Sequence, residues 1–253
     1  MTITSDVIKN TAGLVMWLDG EINSRAGVRN TSINGMQNLV YTPFAGKSST
    51  VGFYEKFNGT PTFSEKGCKL GGTCHYPSYE LNNNVTVEFV VHLGKSAISN
   101  KVHSVVDTRS TTTGFQVYIG NGLDTDGFAH IHFVSGNNAK DIVATSTNAK
   151  IYCAVTSNLL AANSTKMYIN GKLTTLSGSD GIGKAKTAIM PIALGGMSSS
   201  SMDTSTPTTS NQWGMGAFYA PNDIFHTVRL WNRQLSEKEI LDNYKRDFER
   251  FGA

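Results

Sequence analysis

The sequence predicts an all-β protein: a two-sheet antiparallel jelly-roll sandwich with a short amphipathic helix at its carboxy-terminal end. Three observations lead to this prediction. Short segments with alternating apolar and polar residues recur along the chain, turn-forming residues separate them, and the clearest helical periodicity lies in the last segment. The composition agrees, because 39% hydrophobic and only 16% charged residues, with 25 glycines, suit short strands joined by turns.

The last thirty residues predict a closing strand and then a helix. Ile224–Trp231 is rich in β-branched and aromatic residues, as strands are. Ser236 can cap a helix, because its hydroxyl can accept a hydrogen bond from the amide of Glu239 while the Glu239 side chain reaches back. Apolar residues then follow at helical spacing: Ile240, Leu241, Tyr244, Phe248 and Phe251. We therefore expect a helix over 236–251 that packs on the sandwich through Ile240, Tyr244 and Phe248.

The body of the chain contains eight further strand patterns. They are Gly13–Leu18, Thr86–Leu93, Val102–Asp107, Phe115–Ile119, Phe128–Val134, Ile151–Thr156, Lys166–Asn170 and Ile189–Leu194. Three of these segments, Thr86–Leu93, Phe115–Ile119 and Phe128–Val134, alternate most clearly. Their apolar side chains are expected to fall on one face of each strand: Val87, Phe89, Val91, Phe115, Val117, Ile119, Ile131 and Phe133. Asn170-Gly171 is the strongest hairpin signal, because both residues adopt the positive φ angles of a type I′ turn readily.

Two segments lack strand or helix periodicity. Residues 21–66 are expected to form a long irregular loop with at most one short strand, near Asn38–Tyr41. Residues 197–212 are rich in serine and threonine and predict an exposed loop. The composition does not change along the chain and no internal repeat is present, so we expect residues 1–253 to form a single domain.

Charge and hydropathy restrict the classes of partner. The net charge of +3 gives no reason to expect a nucleic-acid partner. No segment approaches the roughly 18 apolar residues of a membrane span. The amino terminus lacks the apolar stretch of a secretory signal. We therefore expect a protein made in the cytoplasm that has no membrane partner.

The three cysteines leave the disulfide question open. An odd count argues against a complete disulfide framework. Cys68 and Cys74 flank Gly71-Gly72 and either pair across a hairpin or remain thiols, with thiols favoured in the cytoplasm. Cys153 lies in an apolar strand, which indicates a buried thiol.

A polar and aromatic stripe is the principal candidate for a binding site. Gln116 and Tyr118 alternate with the apolar residues of one predicted strand, and His130 and His132 do so in the next. Aromatic rings stack on the apolar face of a sugar, and histidine and amide groups bond its hydroxyls, so the stripe suits a glycan. Two alternatives remain: an ordinary solvated sheet face, or a pair of histidine metal ligands for which a third ligand is not evident.

Aromatic residues also mark two segments that could lie at the rim of the sandwich. Trp213 and Tyr219 belong to the segment 213–219, and we include both as candidate glycan contacts. The segment Tyr76–Tyr79 is a rim candidate on the same grounds. Ordinary packing is the alternative for both segments.

Acidic residues provide weaker candidates. Asp124-Thr-Asp126-Gly127 resembles the start of a calcium loop, but it lacks the later glutamate and falls where a turn is needed, so we favour a turn. A glycosidase needs paired carboxyl groups, and no predicted strand carries such a pair. Glu88 stands alone on its strand and is expected to satisfy a neighbouring polar group, because a buried acid must be paired.

Five motifs, in order along nearly the whole chain, resemble the laminin-G-like, concanavalin-A-like jelly-roll family and its bacterial and phage-borne branch. They are Gly13-Leu-Val-Met-Trp-Leu-Asp-Gly20, Val85-Thr-Val-Glu-Phe-Val90, Lys166-Met-Tyr-Ile-Asn-Gly-Lys172, Ile192-Ala-Leu-Gly-Gly196 and Val228-Arg-Leu-Trp-Asn-Arg-Gln-Leu-Ser236 with Glu239-Ile240 and Asn243-Tyr244. The resemblance implies a sandwich of two curved sheets whose concave face or rim loops bind glycans. Many members bind a structural calcium, so calcium is the ion that the resemblance implies.

Three functional hypotheses follow. The first is a non-enzymatic recognition or adhesion module that binds carbohydrate in a bacteriophage tail or host-attachment structure, since the ending 243–252 is similar to endings of phage proteins. The second is a structural or decoration protein of a virion that binds no ligand, and the third is a glycan-cleaving hydrolase. Expected partners are a surface glycan or other virion proteins. A homo-oligomer fits such a setting, although no residue requires one.

Overall fold

The structure, a computed structural model, describes residues 12–24, 26–40, 59–64, 66–70, 72, 74–79, 82–94, 103–108, 114–120, 128–135, 140–183, 190–195 and 223–252. Within these ranges the chain forms fifteen strands and one helix. All strand pairs are antiparallel, and the strands form two sheets. The predicted all-β, two-sheet sandwich with a carboxy-terminal helix is confirmed.

Sheet A has eight strands. In spatial order seven of them are β12 (Lys172–Leu173), β11 (Lys166–Ile169), β10 (Lys150–Asn158), β5 (Asn84–His92), β15 (Ile224–Trp231), β3 (Gly67–Lys69) and β2 (Thr62–Ser64). The eighth, β1 (Leu14–Asp19), pairs with β15. The closing strand β15 is therefore central, with β5 along one side and both β1 and β3 on the other.

Sheet B has seven strands. In spatial order they are β13 (Ser177–Asp180), β9 (Lys140–Ser146), β8 (Ala129–Ser135), β7 (Phe115–Gly120), β6 (His103–Asp107), β14 (Met190–Leu194) and β4 (Cys74–Tyr79). The run from β6 to β9 is a meander in which each strand pairs with the next along the chain. This meander carries the predicted polar stripe.

The core lies between the two sheets. The residues predicted to point inward are all fully buried: Val87, Phe89, Val91, Phe115, Val117, Ile119, Ile131 and Phe133. They belong to one continuous apolar cluster that draws on both sheets. The rings of Phe115 and Phe133 lie 5.7 Å apart within it. For a chain of this length, the burial of apolar area is the main source of folding free energy.

The helix α1 (Glu237–Phe251) begins and ends as the sequence predicts. Ser236 Oγ accepts a hydrogen bond from the amide of Glu239, the Glu239 carboxylate accepts one from the Ser236 amide, and Gly252 ends the helix with a positive φ of 68°. Both ends are therefore set by local contacts that the sequence alone reveals.

The prediction of which α1 residues pack on the sandwich is partly wrong. Ile240 is fully buried and Tyr244 is half-buried, but Phe248 is 52% exposed. The buried residues are Ile240, Asn243, Asp247 and Phe251. They follow one line along the helix, and an ion pair between Asp247 and Arg229 of β15 fixes the rotation that turns Phe248 outward.

The nine strand patterns all correspond to strands, with ends that differ by no more than two residues. The short strand expected near Asn38–Tyr41 is wrong for its described part, Asn38–Val40, which bends. Asn38 instead uses its side chain: Oδ1 accepts from the Trp17 amide at 2.9 Å and Nδ2 donates to Val15 O at 3.1 Å. The loop expected over 21–66 also contains β2 near its end.

Strands β3, β4, β9, β12 and β13 were not predicted either. β12 has two residues and β13 reads Ser-Gly-Ser-Asp, so neither carries an alternating apolar pattern. Pairing with β11 and β9, respectively, determines that they are strands.

The three cysteines are buried thiols. The alternative of pairing across a hairpin is therefore wrong: Cys68 lies on β3 of sheet A and Cys74 on β4 of sheet B, so no hairpin joins them. Burial raises the pKa of Cys68 to about 12, so the thiol is not reactive at neutral pH. The prediction of a buried thiol at Cys153 is confirmed.

Within the described ranges, no helix combines the length and apolar composition that a bilayer crossing requires.

Candidate functional site

The predicted stripe exists on the outer face of sheet B. Tyr118 of β7 is paired with His132 of β8, and Gly120 is paired with His130, so these side chains share one face. Tyr118, His130 and His132 are each half-buried, so none of the three residues is fully covered by the protein. The alternation of β7 and β8 predicted this placement correctly.

Tyr118 and His132 form a stacked pair. Their ring centroids lie 4.4 Å apart and their planes differ by 7°. Gly120 makes room for this pair, since a Cβ at that position would lie 3.1 Å from His132 Nε2 and 3.6 Å from Tyr118 Cε2. The result is a stacked aromatic pair held on two neighbouring strands, in which each ring covers one face of the other.

Asp141 of β9 completes this part of the face. Its Oδ1 lies 3.5 Å from His132 Nδ1, and the two side chains are 49% and 20% exposed. Burial lowers the pKa of His132, although Asp141 opposes this effect. At neutral pH the imidazole is therefore uncharged, so one ring nitrogen donates a hydrogen bond and the other accepts one. Because Nδ1 faces the Asp141 carboxylate, which only accepts, Nε2 is the nitrogen left to accept a hydrogen bond from a sugar hydroxyl.

Gln116 lies on the same face but is only 2% exposed. Its Nε2 lies 3.4 Å from Ser104 Oγ of β6. Of the four stripe residues it presents the least surface to a ligand.

The remaining site candidates fall into two groups. Trp213, Tyr219, Asp124, Asp126 and the loop 197–212 lie outside the described residues, so their predictions stay predictions. Tyr76 is 1% exposed and donates a hydrogen bond from its hydroxyl to Met36 O at 2.8 Å, so it packs in the core instead of lining the rim. Among the described residues, no group of three or more histidine, cysteine or acidic side chains is placed to hold a metal ion.

Glu88 is the residue on which a hydrolase would depend. It is fully buried beneath α1. Its carboxylate accepts hydrogen bonds from Tyr152 Oη at 2.7 Å and from Asn243 Nδ2 at 3.1 Å, and it lies 3.2 Å from Arg229 Nε. Burial raises its pKa to about 7, although Arg229 opposes this effect. The prediction that Glu88 satisfies neighbouring polar groups is confirmed, and no substrate can reach it in this fold.

Sequence reasoning did not identify Asp141. Its strand begins with two charged residues, Lys140 and Asp141, which usually indicate a loop. The signal that could have revealed the strand is the alternation of Ile142 and Ala144, both buried, with the half-buried Val143.

Comparisons with known proteins concern the fold. No protein-family model and no curated protein sequence matches the chain. Among solved structures, it is similar to the binding domain of botulinum neurotoxin DC in complex with SialylT, with a TM-score of 0.52 and 15% identity over 92% of this chain and 51% of that chain. The same domain in complex with rat synaptotagmin II gives a TM-score of 0.52 and 13% identity, with the same coverage.

The receptor-binding domain of botulinum neurotoxin D gives a TM-score of 0.50 and 14% identity over 92% of this chain and 52% of that chain. The chain thus spans about half the length of these binding domains. At this identity the similarity shows a shared β-sandwich fold.

Proposed function

We propose that the chain is a non-enzymatic recognition module that binds carbohydrate on the outer face of sheet B. The stacked pair of Tyr118 and His132 is the observation that carries this proposal. The outer face of this half-buried aromatic pair offers the apolar contact that a sugar ring needs, and the neutral imidazole and the Asp141 carboxylate beside it offer hydrogen bonds to hydroxyl groups.

The comparisons support a binding role. The solved structures of similar fold are described as binding or receptor-binding domains, and one of them is in complex with SialylT. The burial of Glu88 is a further argument against a hydrolase, because the acid that catalysis would use is covered by α1.

A glycan array with the purified chain tests the proposal. We expect binding to a subset of bacterial surface polysaccharides, and a loss of roughly tenfold or more in Tyr118→Ala with little change in melting temperature, because Tyr118 lies outside the core and is only half-buried. Tyr118→Phe is the matched control, since it keeps the ring and should keep most of the affinity. A wild-type chain that binds no glycan at high concentration would overturn the proposal.

A strong fall in melting temperature in Tyr118→Ala would instead assign the ring to the core and remove the sheet face as the site. Hydrolysis of any bound glycan that disappears in Glu88→Gln would support an enzyme.

We further propose that the module belongs to a bacteriophage particle, as a tail or host-attachment component. The sequence ending over 243–252, which is similar to endings of phage proteins, supports this setting. Antibody labelling and quantitative mass spectrometry of purified particles test it. A fixed copy number together with glycan binding is the expected result. A fixed copy number without glycan binding would favour the structural or decoration protein, and absence from every particle would exclude both virion roles.

A further inference from the structure

A groove crosses one end of the sandwich and borders the polar stripe at Thr145 of β9, which pairs with His130 of β8. It runs between the β9–β10 turn, the β11–β12 hairpin and α1, and we call it the rim groove. Two adjoining depressions of about 530 and 540 Å³ form it, and they share Thr147, Asn148, Asn170 and Tyr244 as lining residues. Both depressions are wide open to solvent.

Aromatic rings lie along the whole rim groove. Phe248 lines one depression and is 52% exposed, and Phe128 lines the other and is 40% exposed. Between them Tyr244 is held in place, because its ring lies 5.3 Å from that of Tyr152 and packs directly on Gly171. The rings of Tyr244 and Phe248 lie 6.0 Å apart, and exposed rings suit the apolar faces of sugar rings.

Amide and hydroxyl groups lie between the rings. Asn148 and Thr147 are exposed at the junction of the two depressions. Asn170 is fixed there because its Oδ1 accepts a hydrogen bond from the Tyr152 amide at 3.0 Å. Thr145 adds a further exposed hydroxyl at the Phe128 end. Groups of this kind bond sugar hydroxyls and need no charge to do so.

The charges of the rim groove are all of one sign. Lys150 lines one depression and Lys172 lines the other, and the described lining residues include no aspartate or glutamate. Lys150 donates a hydrogen bond to Phe251 O at the end of α1, which holds its ammonium group close to the groove. One lysine in each depression therefore favours a ligand that carries repeated negative charges.

We propose that the rim groove is a second binding site and that it holds an acidic oligosaccharide, with sugar rings on Phe248, Tyr244 and Phe128 and carboxylate groups facing Lys150 and Lys172. The rim groove includes neither Tyr118 nor His132 among its lining residues, but the choice of a saccharide rests on the proposed function of glycan recognition.

Isothermal titration with matched saccharides tests this second site. The probes are hexamers of galacturonic acid and of sialic acid, each compared with its carboxyl-reduced, neutral form. We expect at least one acidic hexamer to bind roughly fivefold or more tightly than its neutral form, with an affinity that falls as salt is added. Phe248→Ala should weaken that binding roughly tenfold without unfolding the chain, because the ring is exposed.

Lysine variants provide the charge control. Lys172→Gln should reduce the affinity for the acidic hexamer and leave that for its neutral form unchanged. Lys245→Gln is the matched control, since Lys245 is exposed on α1 and does not line the rim groove. Equal effects of the two lysine variants, equal affinities for acidic and neutral hexamers, or no binding of either acidic hexamer would overturn the proposal.

Comparison of Tyr118→Ala with Phe248→Ala distinguishes binding at the sheet face from binding at the rim groove. Acidic-hexamer binding that is lost in Tyr118→Ala and kept in Phe248→Ala would remove the rim groove as a site and leave the proposed function intact. If the wild-type chain binds no glycan of any kind, the proposed function itself fails.

Discussion

Arg229 of β15 and Asp247 of α1 form an ion pair in which each side chain is only 1% exposed. Arg229 also lies 3.2 Å from Glu88 of β5, whose carboxylate accepts hydrogen bonds from Tyr152 and Asn243. Burial works against the charge of Arg229, but Asp247 and Glu88 outweigh it and raise its pKa, so the arginine stays charged. The helix is therefore joined to the sheet by a buried polar cluster as well as by apolar contacts.

Removing one partner of this pair should be costly. We expect Asp247→Ala to lower the free energy of unfolding by about 3–5 kcal/mol, because it leaves the buried Arg229 without one of its two carboxylate partners. Urea denaturation measures the change. Asp242→Ala is the control on the same helix: Asp242 pairs with Lys238 at the surface, where their side chains are 39% and 82% exposed, and its loss should leave the midpoint unchanged. Equal shifts in both variants would show that the buried pair does not anchor the helix.

A second ion pair joins two neighbouring strands of sheet B, since Lys140 of β9 pairs with Asp180 of β13, and hydrogen bonds of the same two residues reach the β10–β11 loop. Lys140 of β9 is fully buried, and its Nζ donates to Asp180 Oδ1 at 2.8 Å, Ala161 O at 2.7 Å and Ser164 Oγ at 2.9 Å. Asp180 also accepts a hydrogen bond from the Thr165 amide at 2.9 Å. We expect Lys140→Met to destabilise the fold by about 3–5 kcal/mol, since Asp180 and two oxygen acceptors would lose their cation.

The pH dependence of Lys140→Met provides a further measurement. Burial alone would raise the pKa of Asp180, but the hydrogen bonds from Lys140 and Thr165 outweigh it and lower the pKa below 3.8. The stability that this pair contributes is therefore present above pH 3.8 and is lost as the pH falls below it. Lys140→Met should lose this acid dependence, whereas Lys166→Met, at an exposed position on β11, should keep it. An unchanged acid dependence in Lys140→Met would contradict the assignment.

Local signals in the sequence predicted the parts of the fold that local contacts determine. The cap formed by Ser236 and Glu239 depends on residues three apart, and the hairpin at Asn170-Gly171 depends on two positive φ angles, 49° and 74°. Both features are present as predicted. The alternation that set Tyr118 and His132 on one face also needed only the strand period and an antiparallel turn.

Contacts between distant residues explain what the sequence could not show. Asp247 follows the spacing of a solvated helix position, and its burial depends on Arg229, which lies on a strand. The spacing of Phe248 predicts a core residue, but the ion pair fixes a rotation of the helix that leaves Phe248 exposed. The rim groove likewise brings together Asn148, Asn170 and Tyr244, which come from three separate elements, so no sequence motif marks it.

The hairpin glycine allows a direct test of how α1 contacts sheet A. Gly171 has a φ of 74°, and a Cβ there would lie 2.4 Å from Tyr244 Cδ1. Gly171→Ala should therefore lower the melting temperature through backbone strain and also displace the Tyr244 ring. Gly13→Ala is the matched control, because Gly13 has nearly the same φ, 75°, and its nearest neighbour is the flexible Arg233 side chain at 3.2 Å. Equal melting temperatures would show that the Tyr244 contact contributes nothing beyond strain.

His226 of β15 should make the fold sensitive to acid. The residue is 5% exposed, its Nδ1 lies 2.7 Å from Lys66 O, and its ring lies 5.2 Å from that of Phe251. Burial lowers its pKa from 6.5 to about 4, and the nearby Lys150 and His92 act in the same direction while the hydrogen bond to Lys66 O opposes them. The unfolded chain therefore binds a proton at His226 between pH 6.5 and 4 that the folded chain does not bind.

Stability should accordingly fall as the pH is lowered from 6.5 to 4, by up to about 1.4 kcal/mol per pH unit from this one group. His226→Asn removes the titration and keeps a side-chain amide close to Lys66 O, so its stability should fall less steeply over the same range. The raised pKa of Glu88 acts in the opposite sense, because that group favours the folded chain as the pH falls from about 7 to 4.5. Its contribution is common to both proteins and cancels in the difference. Urea midpoints of the wild type and the variant, measured from pH 8 to pH 4, give that difference. Parallel plots of midpoint against pH would mean that His226 takes up a proton as readily in the folded chain as in the unfolded one.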